Sequence, residues 1–410
     1  MKILVVTSSL WFGGAQVAVL EFLNFLREKV EIRIVTCKKV DPNFLTVATS
    51  IGLKVYQVNC VTIKSYPHVA IGQVKNLINW ADVVWISDVE YLTAPQIKKI
   101  KRVPVVAHIH SYALVCPHWN AAYGLREICR ERCSAWRIVR CKQVINRELA
   151  KIRLLDGFRG GVYWLLDFGK GPLDYYRWRG VMDRVVDSID FFIAVSRATR
   201  DITVFHLPEI GDRLEVVYNP VAYRPWRYVS SLSKRRGNYI FYAGGAHVHK
   251  GPHILLKAFK LVRERGVDLK LYMTGTAGTW VEALARRLGV DRGVEFLGKL
   301  PEEEYFRLMA GARVTVMPSV WPEPFGIVAV ESISLGVPVV GSSMGGLPEI
   351  IGRYGVTTLP QPESIADAIL RVIDAPYSVN EMRRYANDRF GEANVERFLS
   401  LLDSLINRSE

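Results

Sequence analysis

The chain has 410 residues, half of them apolar and 23% charged, and carries a net charge of +14. That composition belongs to a folded globular chain and excludes a disordered one, while the length exceeds one ordinary core and fits two domains of about 200 residues. No apolar run reaches the roughly 18 residues that cross a bilayer, which excludes a membrane-spanning helix.

In chain order, Met1-Lys2-Ile3-Leu4-Val5-Val6 enters a strand at once. This leaves no cleavable signal and predicts a cytoplasmic protein, or one on the cytoplasmic face of a membrane. Strand Lys2–Thr7 leads through Gly13-Gly14 into a helix ending near Phe25, with apolar positions at Val17 and Leu20. Strand patterns recur at Glu31–Thr36, Lys54–Val58, Val83–Ile86, Val103–His108, Phe191–Val195 and Leu214–Val217. Asn219–Gly237 is rich in Pro, Ser, Lys and Arg and reads as a linker. The second half repeats the plan, with strand Tyr239–Tyr242, a glycine pair and a helix from about Pro252, a residue suited to a first turn. Strands Leu269–Met273, Val294–Phe296, Val314–Met317 and Val337–Val340 follow, and helices over Ser364–Asp374, Val379–Phe390 and Ala393–Ile406 close the chain. Apolar strands alternating with helices imply parallel sheets covered on both faces. The expected organisation is an α/β domain over 1–220, a linker over 221–237 and a second α/β domain over 238–391.

Ligands of such sheets bind beyond the carboxyl ends of the strands. Those ends carry Gly13-Gly14, His110, Gly244 to Lys250 and Ser319 to Gly326, and two such edges facing each other define one cleft. Gly13-Gly14 lets backbone approach a ligand and frees N–H groups for phosphate, although a tight turn also explains the pair. Lys250 is an ammonium suited to a diphosphate, or a solvated lysine. His108 and His110 lie on one face of their strand; a lone strand-end histidine is more often structural, which is the reading for His108, while His110 lies at the expected sheet edge.

The densest signal is Pro318 to Glu349, PSVWPEPFGIVAVESISLGVPVVGSSMGGLPE. It sets Glu323 and Glu331 eight residues apart around a helix beginning near Phe325 and Gly326. Gly326 and Ile327 fall in the first turn, where unpaired N–H groups and the dipole favour an anion. At about 100° per residue Glu331 points to the apolar side. A carboxylate there needs a partner, which ribose hydroxyls would supply; a capped helix with one tolerated acid is the alternative.

This string resembles the donor-binding signature of the retaining nucleotide-sugar glycosyltransferases of family 4, with PS, EPFG, the second Glu, GVPVV and GGLPE in order. Weaker agreement runs over nearly the whole chain. The resemblance implies the GT-B fold, two Rossmann-like doubly wound α/β domains facing an interdomain cleft, with residues 392–410 crossing back onto the first. It also implies that Glu323 contacts hydroxyls of the transferred sugar, that Glu331 contacts the ribose, and that backbone at Phe325, Gly326 and Ile327 receives the diphosphate. Gly13 and Gly14 would lie near diphosphate and acceptor, and His110 would orient the sugar. Gly244 and Lys250 match the family's glycine and lysine, but Gly245 stands where the family has arginine, with His247 or His249 as the expected compensation. Gly298-Lys299-Leu300 resembles the loop along the nucleotide base. Gly345-Gly346 either approaches the diphosphate or is a plain turn. Ser196 reads as a helix N-cap, with Arg197 in reach of phosphate, and Asn219 as part of a hinge.

The implied activity is retaining transfer of a hexosyl group from a nucleotide diphosphate sugar to a glycan, lipid-linked or small-molecule acceptor, with Glu323, His110 and Lys250 as catalytic residues. No cofactor is expected beyond the donor. No Asp-any-Asp triplet occurs, so the metal motif of the other main transferase fold is missing and no catalytic metal is expected. A nucleotide-sugar epimerase of the same architecture is the alternative. Residues 126–184 hold 14 Lys and Arg against 7 Asp and Glu, with the remaining excess spread thinly, which argues against nucleic acid as a partner. Within that region Tyr163, Trp164, Leu165, Leu166 and Phe168 either meet an anionic membrane surface, hold a lipid-phosphate acceptor, or bury against the first domain. Cys116, Cys129, Cys133 and Cys141 cluster within 26 residues, near His118, and are expected to form a structural metal site or two disulfides.

Overall fold

The structure is a computed structural model and describes every residue except 8–9, 11–12, 38–39, 64–65, 119–120, 124–126, 157–171, 229–235 and 409–410. The aromatic run from Tyr163 to Phe168 therefore lies outside the described residues. Seven strands form one parallel sheet: β1 (Lys2–Val6), β2 (Glu31–Thr36), β3 (Lys54–Gln57), β4 (Val83–Ser87), β5 (Val105–Ile109), β6 (Phe191–Ala194) and β7 (Leu214–Val216). Their order is β7-β6-β5-β4-β1-β2-β3. Every residue of β4 and β5 is buried, which is why these strands read as unbroken apolar runs. A second parallel sheet holds β8 (Tyr239–Tyr242), β9 (Lys270–Thr274), β10 (Val294–Leu297), β11 (Val314–Met317), β12 (Val339–Ser342) and β13 (Gly355–Thr358), in the order β10-β9-β8-β11-β12-β13.

In each sheet the chain runs outward from its first strand, then returns to that strand's other side. The switch points are β1/β4 and β8/β11, and each opens a crevice at the carboxyl ends of its strands.

The last helix, Ala393–Asn407, packs on the first domain. Its Phe398 ring lies 4.7 Å from Trp85 and 5.1 Å from Phe22, centroid to centroid. Residues 221–228, read above as the start of a linker, are instead built into the fold. Val221 and Ala222 are fully buried beside Phe325 and Phe390, because their small apolar side chains complete that core. Arg227 holds Glu21, on the helix Gly14–Leu26, through two bonds of 2.8 and 2.6 Å. Among the described residues no helix is long and apolar enough to cross a membrane.

The cysteines correct a further expectation: Cys116, Cys129, Cys133 and Cys141 are not joined in disulfides, and among the described residues no three His, Cys, Asp or Glu side chains stand where they could hold a metal ion. The disulfide joins Cys37, just beyond β2, to Cys60 on a small hairpin, with Cα atoms 4.9 Å apart. Tertiary proximity made that pair; clustering along the chain did not.

Candidate active site

The site grows from the two loops at the β8/β11 switch point. Gly251 has φ +73°, and a Cβ there would drive into the Pro318 carbonyl oxygen, so glycine lets the loops touch. Lys250 is thereby held against the segment Ser319–Glu323. Its Nζ donates to Glu323 Oε1 at 2.6 Å, while Ser319 Oγ and Trp321 Nε1 each donate to Oε2 at 3.0 Å. The ammonium lies 5.1 Å from the Trp321 ring centroid. Glu323 is only 7% exposed, so its charge rests on these three donors. Ser319 and Trp321 were missed as functional residues, although both stand within the quoted signature.

Backbone packing fixes Glu323 from behind. Gly346 donates its N–H to the Glu323 carbonyl at 2.7 Å, and Gly345, at φ +71°, leaves no space for a Cβ against the Glu323 backbone. This glycine pair therefore orients Glu323. On the other loop Gly245 has φ +61°, and its carbonyl accepts from Tyr242 Oη at 2.9 Å. Gly244 leaves no room for a Cβ beside that hydroxyl. No arginine fits the left-handed Gly245 position without strain. Burial, then the Lys250 charge, lowers the imidazole pKa values of both His247 and His249, which disfavours a second cation beside Lys250.

Gly326 caps the helix Ile327–Ser334 at φ +101° and so precedes its first turn. Phe325 is buried beside Tyr218 and Phe390, which leaves only its backbone available to a ligand. Across the cleft, a Cβ added to Gly14 would meet Ile327 Cδ1 at 3.9 Å, so the first domain's glycine loop faces this helix start. Gly13, in extended conformation, caps the helix that follows. Ser196 caps its helix, accepting from Thr199 N–H at 3.0 Å, and its hydroxyl also reaches the Pro324 carbonyl. Arg197 pairs with Glu349 at 3.0 Å, where the sequence had allowed it a phosphate. Lys299 lies 3.5 Å from Asp41 of the first domain, and Leu300 is half-buried beside it.

Glu331 meets a partner that the sequence did not disclose. It is fully buried, and the partner it demands comes from inside the chain: Arg224 Nη1 donates to Oε1, and Tyr305 Oη to Oε2 at 3.2 Å. Arg224 also pairs with Glu302. Residue spacing gave no sign of this, because Arg224 stands 107 positions away.

His110 ends the β5 edge with its ring 4.3 Å from His108, which is enclosed by Phe22, Trp85 and Phe398. Burial lowers the His110 pKa to about 3 and that of His108 well below its ordinary value, so both are neutral. Because the folded pKa values lie below the unfolded one, protons bind preferentially to the unfolded chain. Stability is then complete above pH ~6.5 and lost as pH falls, at up to ~1.4 kcal/mol per pH unit for each such histidine. Urea unfolding between about pH 7.5 and pH 5 should show this loss, and His108→Gln should flatten it; equal slopes in variant and parent would remove His108 from the account.

The family model for glycosyltransferase family 4 matches residues 12–223, and that for glycosyl transferases group 1 matches residues 229–389. The chain belongs to glycosyltransferase family 4. Within that family it is similar to a glycosyltransferase of Methanocaldococcus jannaschii, 32% identical over 228 residues, covering 50% of this chain and 57% of that protein. A glycogen synthase of Mycobacterium tuberculosis is 30% identical over 211 residues, 50% of each chain. The chain thus spans about half the length of the curated relatives it matches. Among solved structures, the Anabaena protein HepE in complex with UDP-glucose superposes with a TM-score of 0.66 at 18% identity, over 98% of this chain and 100% of that one. Sucrose-phosphate synthase of Thermosynechococcus elongatus gives 0.63 at 14% identity, over 100% of both. The fold is GT-B. These relatives are named as transferases, which leaves the epimerase alternative without support.

Proposed function

We propose that the protein transfers a hexosyl group, with retention of configuration, from a nucleotide diphosphate sugar to a glycan, lipid-linked or small-molecule acceptor held by the first domain. One observation carries this reading: Lys250, Glu323 and the start of the Ile327–Ser334 helix converge at the β8/β11 switch point, facing Gly14 across the cleft. The UDP-glucose complex of HepE, which shares the fold, supports a nucleotide-sugar donor. Unpaired N–H groups at Ile327 and Val328, with Lys250, take the diphosphate; Glu323 and neutral His110 take sugar hydroxyls. Gly13, Gly244 and Gly245 admit the donor by close backbone approach, and Lys299-Leu300 flanks the base. Glu331 takes a ribose hydroxyl only where Arg224 or Tyr305 gives way. As the anomeric carbon–oxygen bond breaks, the departing phosphate oxygen accepts the proton of the acceptor hydroxyl, whose oxygen bonds the same face. Lys250 and the helix start meet the developing charge, so the reading needs no catalytic metal.

Exposed Trp136 and Tyr176, with exposed Arg132, Arg140 and Arg177 close to them along the chain, support an anionic membrane surface as the place where a lipid-linked acceptor is met. The test is release of nucleoside diphosphate from a panel of nucleotide sugars, with and without acceptors presented on anionic vesicles. Acceptor-dependent release is expected, with folding stability raised by UDP by mass action, by about 2.7 kcal/mol at a hundredfold excess over Kd. A free epimer, or no stabilisation by any nucleotide, would overturn the assignment.

A further inference from the structure

Glu323 stands on a second-domain loop, yet first-domain side chains grip the backbone next to it. Ser196 and Thr199 lie at the start of the helix Arg197–His206, just beyond β6, and both are fully buried. Thr199 Oγ1 donates to the Pro324 carbonyl at 2.9 Å, and the Ser196 hydroxyl reaches the same oxygen. Pro324 joins Glu323 to Phe325 and has no N–H, so this carbonyl is the one hydrogen-bonding group it offers. Gly346 packs in the same place: a Cβ there would meet Pro324 O at 2.8 Å and Ser196 Oγ at 3.1 Å. A second grip lies beside the first. The Glu349 carboxylate accepts from the Ala198 N–H at 3.1 Å, from Arg197 Nε at 3.0 Å and from Tyr218 Oη at 3.0 Å, donors that all belong to the first domain. Tyr112, beyond β5, meets Trp321 edge to face with centroids 6.4 Å apart, and Trp321 in turn donates to Glu323.

We propose that Ser196 and Thr199 are positioning residues for the transfer: by holding the Pro324 carbonyl from the first domain, they set where the Glu323 carboxylate meets the donor sugar. This rests on the glycosyl-transfer reading. The parts of the site that take the diphosphate are held in other ways. Lys250 is fixed through the contact of Gly251 with Pro318, and the helix Ile327–Ser334 by its own buried face. Loss of a hydroxyl on Pro324 therefore moves the carboxylate against the sugar, while the diphosphate keeps its ammonium and its N–H groups. A misplacement of about 1 Å at a reacting centre costs up to about a hundredfold in rate. A contact that only stabilised the domain interface would lower melting and leave the turnover of folded molecules alone.

The test takes the nucleotide sugar that the full chain consumes from a panel, and follows kcat, the Kd of the matching nucleoside diphosphate, and melting. Thr199→Val removes the donor at nearly constant shape and should lower kcat by about 10- to 100-fold, with the nucleoside diphosphate Kd unchanged. Thr199→Ser keeps the hydroxyl and should restore most of the rate. Gly346→Ala, which wedges a methyl group between Ser196 and Pro324, should reproduce the Thr199→Val pattern, and it decides the matter if Thr199→Val does not fold. Parental kcat in Thr199→Val and Gly346→Ala would overturn the proposal. So would an equal fall in Thr199→Ser, or a matching loss of nucleoside diphosphate affinity. A parent chain that releases nucleoside diphosphate from none of the donors would overturn the glycosyl-transfer reading, and the proposal with it.

Discussion

Lys250→Ala and Glu323→Ala should each lower turnover by about 10²–10³-fold, the range seen when one preorganised charge or donor is removed from a transition state. For Lys250 the loss should fall on kcat, because its ammonium meets charge that grows only as the leaving group departs. The fold should survive. Lys250 is partly exposed, so its ion pair with Glu323 adds little to stability, and Ser319 and Trp321 still satisfy the carboxylate after the lysine is gone. Glu323→Gln should keep packing and lose activity, separating charge from shape. Circular dichroism and melting beside steady-state kinetics give the measurement. Near-normal rates in both alanine variants would remove these residues from the chemistry.

The largest stability effect is expected at Arg224. Its guanidinium is buried between Glu331, which is 1% exposed, and Glu302. Arg224→Met leaves the Glu331 carboxyl, whose pKa burial already raises, without its cation on an apolar helix face, where among the described residues the Tyr305 hydroxyl is the remaining donor, and should cost about 3–5 kcal/mol. Adding Glu331→Met should recover much of that loss, since two apolar groups of similar volume replace the pair. Glu331→Gln should be milder, because Arg224 keeps Glu302. Urea unfolding of the three variants reads these differences. A single Arg224→Met variant as stable as the parent would show that the carboxylate is satisfied in some other way.

The legible part of the site was its backbone. Gly14 and Gly326 mark places where chain approaches chain, and the structure puts each at a loop contact or helix start; Gly251, which lets Lys250 meet the Ser319–Glu323 segment, was not singled out. Lys250 and Glu323 were assigned separately, one to phosphate and one to sugar; their 2.6 Å ion pair was hidden because 73 residues separate them. Glu331 shows the opposite case. Helical spacing correctly set it on the buried face, but its partner sits in a stretch that composition had marked as linker. Strand β13 was not foreseen, since Gly355–Thr358 is half-buried throughout and lacks the apolar run that betrays a central strand.

By itself the sequence determined the two parallel-sheet domains, the positions of most strands and the switch-point loops. Those features follow from local periodicity and from glycine's tolerance of close approach, which neighbouring residues reveal. Only the tertiary structure decided which charges meet which: Lys250 with Glu323, Arg224 with Glu331, Arg227 with Glu21, and Cys37 with Cys60. A buried charge or thiol takes its partner from whatever the fold brings within reach, and that distance is set by packing between elements far apart in the chain.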